Sequence, residues 1–208
     1  MKIAIVAFED FTDIDVFFMW DLLNRPRSAG WTVRIVGETL SHRSRSGLAI
    51  PMHGELEEAN EADVVLFTSG PGARRKANDL SFLRRFHLDP ERQMIGSICS
   101  GALILAALGL LEGKRATTYP TSVKALERFG VQVIEMPFVD EGNIATAAGC
   151  LASQYLCGWV IERHLGWEMR ETVLKSVQPV GEGMSFSDLP LLQKLYAPAE
   201  DLSPVAAK

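Results

Sequence analysis

The chain has 208 residues, 47% of them hydrophobic, which is enough apolar surface for a sizeable core and suits one α/β domain. Its 21 basic and 26 acidic side chains leave a formal charge of −5 with no dominant block of one sign, which argues against nucleic acid and anionic membrane as main partners. The longest apolar stretch, Ala102 to Leu111, is too short to span a bilayer, and Met1-Lys2 runs straight into a strand-like segment rather than a leader. Three cysteines without metal-ligand spacing suit a reducing compartment, so a cytoplasmic protein is expected.

In chain order, residues 2–8 read as a fully buried strand and Ile14 to Asn24 as a helix rich in Phe and Trp. Thr32 to Val36 is a second strand, and residues 42–53 form a hairpin turning at Ser46-Gly47. Ala62 to Phe67 is a third buried strand that stops at the breaker cluster Ser69-Gly70-Pro71-Gly72. Leu80 to His87 is a short helix. Strand 93–98 then meets helix 100–111 at Cys99. Arg115 to Thr118 is a short strand, Ser122 to Phe129 a helix, and 131–134 and 138–139 are strands. A turn at Glu141-Gly142-Asn143 leads into strand 144–146, and long helix 148–165 and helix 168–176 follow. Residues 179–208 are rich in Pro, Ser and Asp. They read as a peripheral extension of a single domain spanning 1–208, with a short helix at Leu191 to Tyr196 and Pro190 at its first position. Apolar strands alternating with helices predict a three-layer α/β/α sandwich around a largely parallel sheet. In such sheets function gathers at the carboxyl ends of the strands.

Three segments lie at those ends. Cys99 sits in Gly96-Ser97-Ile98-Cys99-Ser100-Gly101-Ala102, on a sharp strand-to-helix turn. A nucleophile so placed is lifted off the backbone beside helix N–H groups, whose partial positive charge favours thiolate. Cysteine is also commonly a small buried hydrophobe, but the flanking Ser97, Ser100 and Gly101 leave room for a substrate. Asp15 falls in the first turn of the first helix, where carboxylates are favoured and where Thr12 or Asp13 would N-cap. The following Phe17-Phe18-Met19-Trp20 run would desolvate Asp15 and raise its pKa towards that of a general acid, or else would form a partner surface. Ser69-Gly70-Pro71-Gly72 is either a tight connection or an anion pocket in which Gly70, Gly72 and Ala73 donate N–H groups. No Gly-Lys-Ser/Thr follows it, which excludes a P-loop. His42, His53, His87 and His164 read as surface or partly buried residues, and no histidine pair or Cys-x-x-Cys points to a metal.

Together these residues resemble the ThiJ/PfpI superfamily over roughly residues 1–178, and within it the isonitrile hydratase branch. The segment from Ser97 to Thr118 is similar to the family's nucleophile elbow, helix and following strand. Ile14-Asp15 matches the acidic position near the thiol. Ser69-Gly70-Pro71-Gly72 matches the glycine loop with Ser69 for its first glycine, and Ala147-Ala148-Gly149 resembles the entry to the penultimate helix. The departures are Phe18-Met19 where hydratases carry Gly-Pro, and Tyr119-Pro120 where His-Trp is frequent. Ser100 also stands where protease-like and glyoxalase-like members place a histidine.

The resemblance implies a flavodoxin-like sandwich, a small-molecule substrate, a homodimer, and no metal or organic cofactor. It assigns Cys99 as nucleophile, Asp15 as general acid and base, and Ser100 as an assisting group. Gly70, Gly72 and Tyr119 would line the substrate and oxyanion pocket. The implied reaction adds water to an isonitrile through a Cys99 thioimidate, giving an N-substituted formamide. The same residues would serve a cysteine-based redox or stress-response protein without hydratase turnover.

Overall fold

A computed structural model of the protein describes residues 1–196. The strands and helices in chain order are β1 (Lys2–Val6), α1 (Asp13–Asn24), β2 (Thr32–Gly37), β3 (Ser41–Arg43), β4 (Ala49–Pro51), β5 (Gly54–Glu55), β6 (Val64–Phe67), α2 (Pro71–Lys76), α3 (Leu80–Leu83), β7 (Met94–Ile98) and α4 (Ala102–Ala107). They continue with β8 (Arg115–Ala116), α5 (Val123–Glu127), β9 (Gln132–Val133), β10 (Phe138–Asp140), β11 (Ile144–Ala147), α6 (Ser153–Leu165), α7 (Trp167–Lys175) and α8 (Leu189–Tyr196).

The central sheet has seven strands in the order β10-β11-β7-β6-β1-β2-β5. All neighbours run parallel except β10 and β11, which form an antiparallel hairpin at one edge. Every residue of β6 and β7 is buried, as are Ile3 to Val6 of β1. Such unbroken burial requires cover on both faces, and this is why these strands lack polar alternation. Helices α1 and α6 pack against each other in one layer, and α4 with α2 and α5 forms the other. The three-layer sandwich and its flavodoxin-like sheet are therefore present. Phe82 stacks edge-on against both Phe8 and Phe86, and Phe67 edge-on against Phe86, with centroids 5.1–6.3 Å apart; this anchors α3 beneath the sheet.

Local differences from the expected elements have local causes. Pro71 starts a helix rather than ending a strand, because its fixed φ and missing N–H suit the first helical turn. The expected helix 100–111 begins as a 3-10 turn over Cys99–Gly101 and ends at Ala107. The expected helix 148–165 begins later, with a 3-10 turn over Cys150–Ala152, because Gly149 takes φ +86°. β8 pairs with β9 in a separate two-stranded sheet. The last helix starts at Leu189, placing Pro190 second. Lys175 pairs with Asp188 at 2.7 Å and Leu195 is buried, which ties the segment after α7 to the body. Of the expected extension 179–208, residues 197–208 lie outside the described residues. Among the described residues no helix is long and apolar enough to cross a membrane.

Candidate active site

β7 leaves the sheet at Ile98 in extended backbone, and Cys99 then turns at φ +50°. A non-glycine residue held in the left-handed region costs roughly 1–3 kcal/mol and persists where the surroundings over-determine it. Two contacts do so here. Thr118 donates its hydroxyl to the Cys99 carbonyl at 2.9 Å. Gly101 brings the turn against the end of β6 so closely that a Cβ would lie 2.6 Å from the Thr68 carbonyl oxygen. The result is a strand-to-helix elbow that carries a buried thiol, 2% exposed, at the start of a helical turn.

Asp15 lies in the first turn of α1 and is completely buried. Thr12 occupies the N-cap position without a capping side-chain bond, and its amide donates to the Ser69 carbonyl instead. Ser69 donates a short hydrogen bond to Asp15 Oδ2, whereas Asp15 Oδ1 has no hydrogen-bond partner. Burial pushes the Asp15 carboxyl above its ordinary range. The Ser69 hydroxyl, the adjacent Cys150 thiol and the Ser69 amide offset part of that rise. The Phe17 to Trp20 run does not line the site: Met19 is fully buried in the core and Phe17 is 38% exposed.

Cys150 is the residue that sequence reading missed. Cys99 Sγ, Cys150 Sγ and an Asp15 carboxylate oxygen all lie within 4.8 Å of one another. The chain spacing of 51 residues carries no motif; the signal lies in strand order. β11 is the parallel neighbour of β7, so Gly149-Cys150 leaves the sheet beside Cys99. Starting the helical turn at Cys150, after Gly149, rather than at Ala148 places this thiol beside its neighbour. Two thiols and a carboxylate this close are also a donor set that a metal ion would fit.

The electrostatics differ from the expected helix-start thiolate. A hydrogen bond with Cys150, burial and, when Asp15 is ionised, its negative charge push Cys99 far above the ordinary thiol range, against a smaller pull from the Gly149 amide. The same thiol–thiol hydrogen bond lowers Cys150, because its thiolate accepts from Cys99.

A cavity of about 340 Å³ opens onto the cluster. Cys99, Cys150, Ser100, Gly70 and Tyr119 all line it, and Tyr119 is 45% exposed. Gly70 donates its N–H to Ser100 Oγ at 3.2 Å, and the Ser100 hydroxyl lies 3.3 Å from the Gly70 carbonyl, which it can donate to in turn. Gly72 stands apart from the lining, with its N–H donated to the Asp10 carbonyl. No histidine among the described residues lines the cavity. His42 is buried elsewhere and accepts the Glu38 amide at Nε2.

Residues 1–163 match the DJ-1/PfpI family. The chain belongs to the DJ-1/PfpI family. It is 31% identical over 112 residues to the isonitrile hydratase of Pseudomonas putida; the match takes in 52% of this chain and about half, 48%, of that relative. It is 25% identical over 181 residues to the deglycase PfpI of Pyrococcus furiosus, covering 83% of this chain and 98% of that one. Among solved structures, a ThiJ/PfpI family protein from Pseudomonas syringae superposes with a TM-score of 0.75 at 23% identity, covering 95% of this chain and 90% of that chain, a likeness of fold. The DJ-1/PfpI relatives thus include enzymes of more than one kind.

Proposed function

We propose that the protein hydrates an isonitrile to an N-substituted formamide at Cys99, with Asp15 as the proton carrier. The observation that carries this reading is the fully buried Asp15 carboxyl, whose pKa burial raises, within 4.8 Å of the elbow sulfur. An isonitrile needs a nucleophile at its terminal carbon and a proton delivered to that same carbon, and a neutral acid beside a thiol supplies both.

In the proposed cycle the reacting form has Cys99 as thiol, Cys150 as thiolate and Asp15 protonated. As Cys99 sulfur attacks the isonitrile carbon, its proton passes along the existing hydrogen bond to Cys150. Asp15 protonates the carbon, giving a thioimidate and a carboxylate. Asp15 then takes a proton from water as the water oxygen adds to that carbon, and passes the proton to nitrogen. Asp15 next accepts the hydroxyl proton, the C–S bond breaks and the formamide leaves. Cys99 recovers its proton from Cys150. The Gly70 and Ser100 pair at the cavity wall is placed to orient the charge that develops.

The test is incubation with simple aryl and alkyl isonitriles, with the formamide followed by chromatography, for the wild type and Cys99→Ala. Turnover in the wild type that disappears in Cys99→Ala supports the reading. No formamide from any isonitrile, together with release of a carbonyl adduct from a glycated amine or thiol, would move the site to the deglycase chemistry named for other relatives.

A further inference from the structure

We propose that Cys99 and Cys150 form a reversible intramolecular disulfide when the site meets a peroxide, so that the catalytic sulfur is protected and switched off by its neighbour. Their sulfurs lie within 4.8 Å of each other and are both free thiols. A disulfide needs them at about 2.05 Å. Closing that gap asks for a shift of one short turn, because Cys150 begins the 3-10 turn Cys150–Ala152 next to Gly149. Both thiols line the cavity, so an oxidant that enters reaches either of them. A carboxylate oxygen of the fully buried Asp15 lies within the same 4.8 Å cluster. The neighbouring Cys99 thiol lowers the Cys150 pKa from its ordinary value, which favours the thiolate form that reacts with peroxide.

The steps balance with a hydroperoxide as oxidant. The thiolate attacks the terminal peroxide oxygen, the O–O bond breaks, and an alkoxide or hydroxide leaves and is protonated by solvent. The attacking sulfur is now a sulfenic acid. The second sulfur attacks it, the S–O bond breaks, and hydroxide leaves with the proton of the second thiol as water. Two thiols are oxidised and one peroxide is reduced. The proposal needs only the two sulfurs and stands whether or not isonitriles are turned over.

The experiment treats the reduced full-length chain with one equivalent of hydrogen peroxide, alkylates it under denaturing conditions and maps it by mass. The expected result is a loss of two hydrogens and of two alkylatable thiols, with tryptic peptides 93–114 and 129–163 joined. Fragmentation assigns the bond to Cys150, while Cys157, sealed in the core, is alkylated as in untreated protein. Dithiothreitol restores both thiols. Cys150→Ser gives no joined peptides, and its Cys99 passes with excess peroxide to a sulfinic acid that dithiothreitol does not reverse. Cys150→Ala repeats that arm should the serine variant fail to fold. Wild-type Cys99 reaching the sulfinic acid while Cys150 remains alkylatable would overturn the proposal, as would a bond to Cys157 or between chains. These readouts are masses and thiol counts, so an inactive hydratase assay leaves them unaffected.

Discussion

Ile98 and Ala147 are register partners in the parallel pair β7–β11. The chain leaves the sheet after each of them on the same side, and the next residues there are Cys99 and Ala148-Gly149-Cys150. One step along the sheet, Phe67 pairs with Ser97, so Ser69 and Gly70 emerge beside the same elbow. The candidate site is thus assembled by adjacency of strand ends, with Asp15 added from α1.

Removing the elbow sulfur separates chemistry from fold. Cys99→Ala is expected to lose formamide production by about a thousandfold or more, since no other group forms the thioimidate. Its far-ultraviolet circular dichroism should match the wild type. Retained turnover would shift the nucleophile to Cys150, which a Cys150→Ala variant would then reveal.

Asp15 predicts a pH dependence of stability with a definite sign. Its folded-state pKa is raised above the ordinary 3.8, so the folded protein holds a proton that the unfolded chain releases. That contribution is complete at pH below the unfolded value and is lost as pH rises towards the folded one. Urea melts of wild type and Asp15→Asn across this window should show a downward slope in the wild type that the variant lacks. Activity of Asp15→Asn should fall by about a hundredfold or more, because the amide cannot deliver a proton.

Ser69→Ala tests how that acid is tuned. The hydroxyl favours the carboxylate form of Asp15, so its loss raises the Asp15 pKa further. The alkaline limb of the kcat/KM profile, which reports loss of the Asp15 proton, should move to higher pH in the variant. An unchanged limb would detach that limb from Asp15.

Gly101→Ala should disturb the elbow from behind. Its Cβ would meet the Thr68 and Phe67 carbonyl oxygens at 2.6 and 2.8 Å, and both belong to backbone that cannot swing away. A loss of roughly 2 kcal/mol of stability is expected. It should appear in thermal melts together with reduced turnover as Cys99 is displaced.

Much of this protein is legible along the chain. Runs such as Ile3-Ala4-Ile5-Val6 and Val64-Val65-Leu66-Phe67 announce strands buried on both faces, and the glycines and small residues around Cys99 announce a tight turn with an open side. These features are local: hydrophobic period, turn chemistry and capping are written within a few residues. Gly70 is legible because it closely follows strand β6, and Asp15 because it falls in the first turn of the helix after β1.

What only the tertiary structure decided is non-local. Cys150 carries no spacing signature towards Cys99, and it joins the site because β11 inserts beside β7 and Gly149 delays the helix. Gly72, which looked like a donor to the pocket, turns its N–H to Asp10 because α2 begins at Pro71. The protonation of the cluster follows from the same packing. Burial and a second thiol outweigh the helix-start field at Cys99, and both depend on which groups surround the sulfur once the layers close. Local sequence specifies which residues turn, whereas the order of strands across the sheet specifies which turns meet.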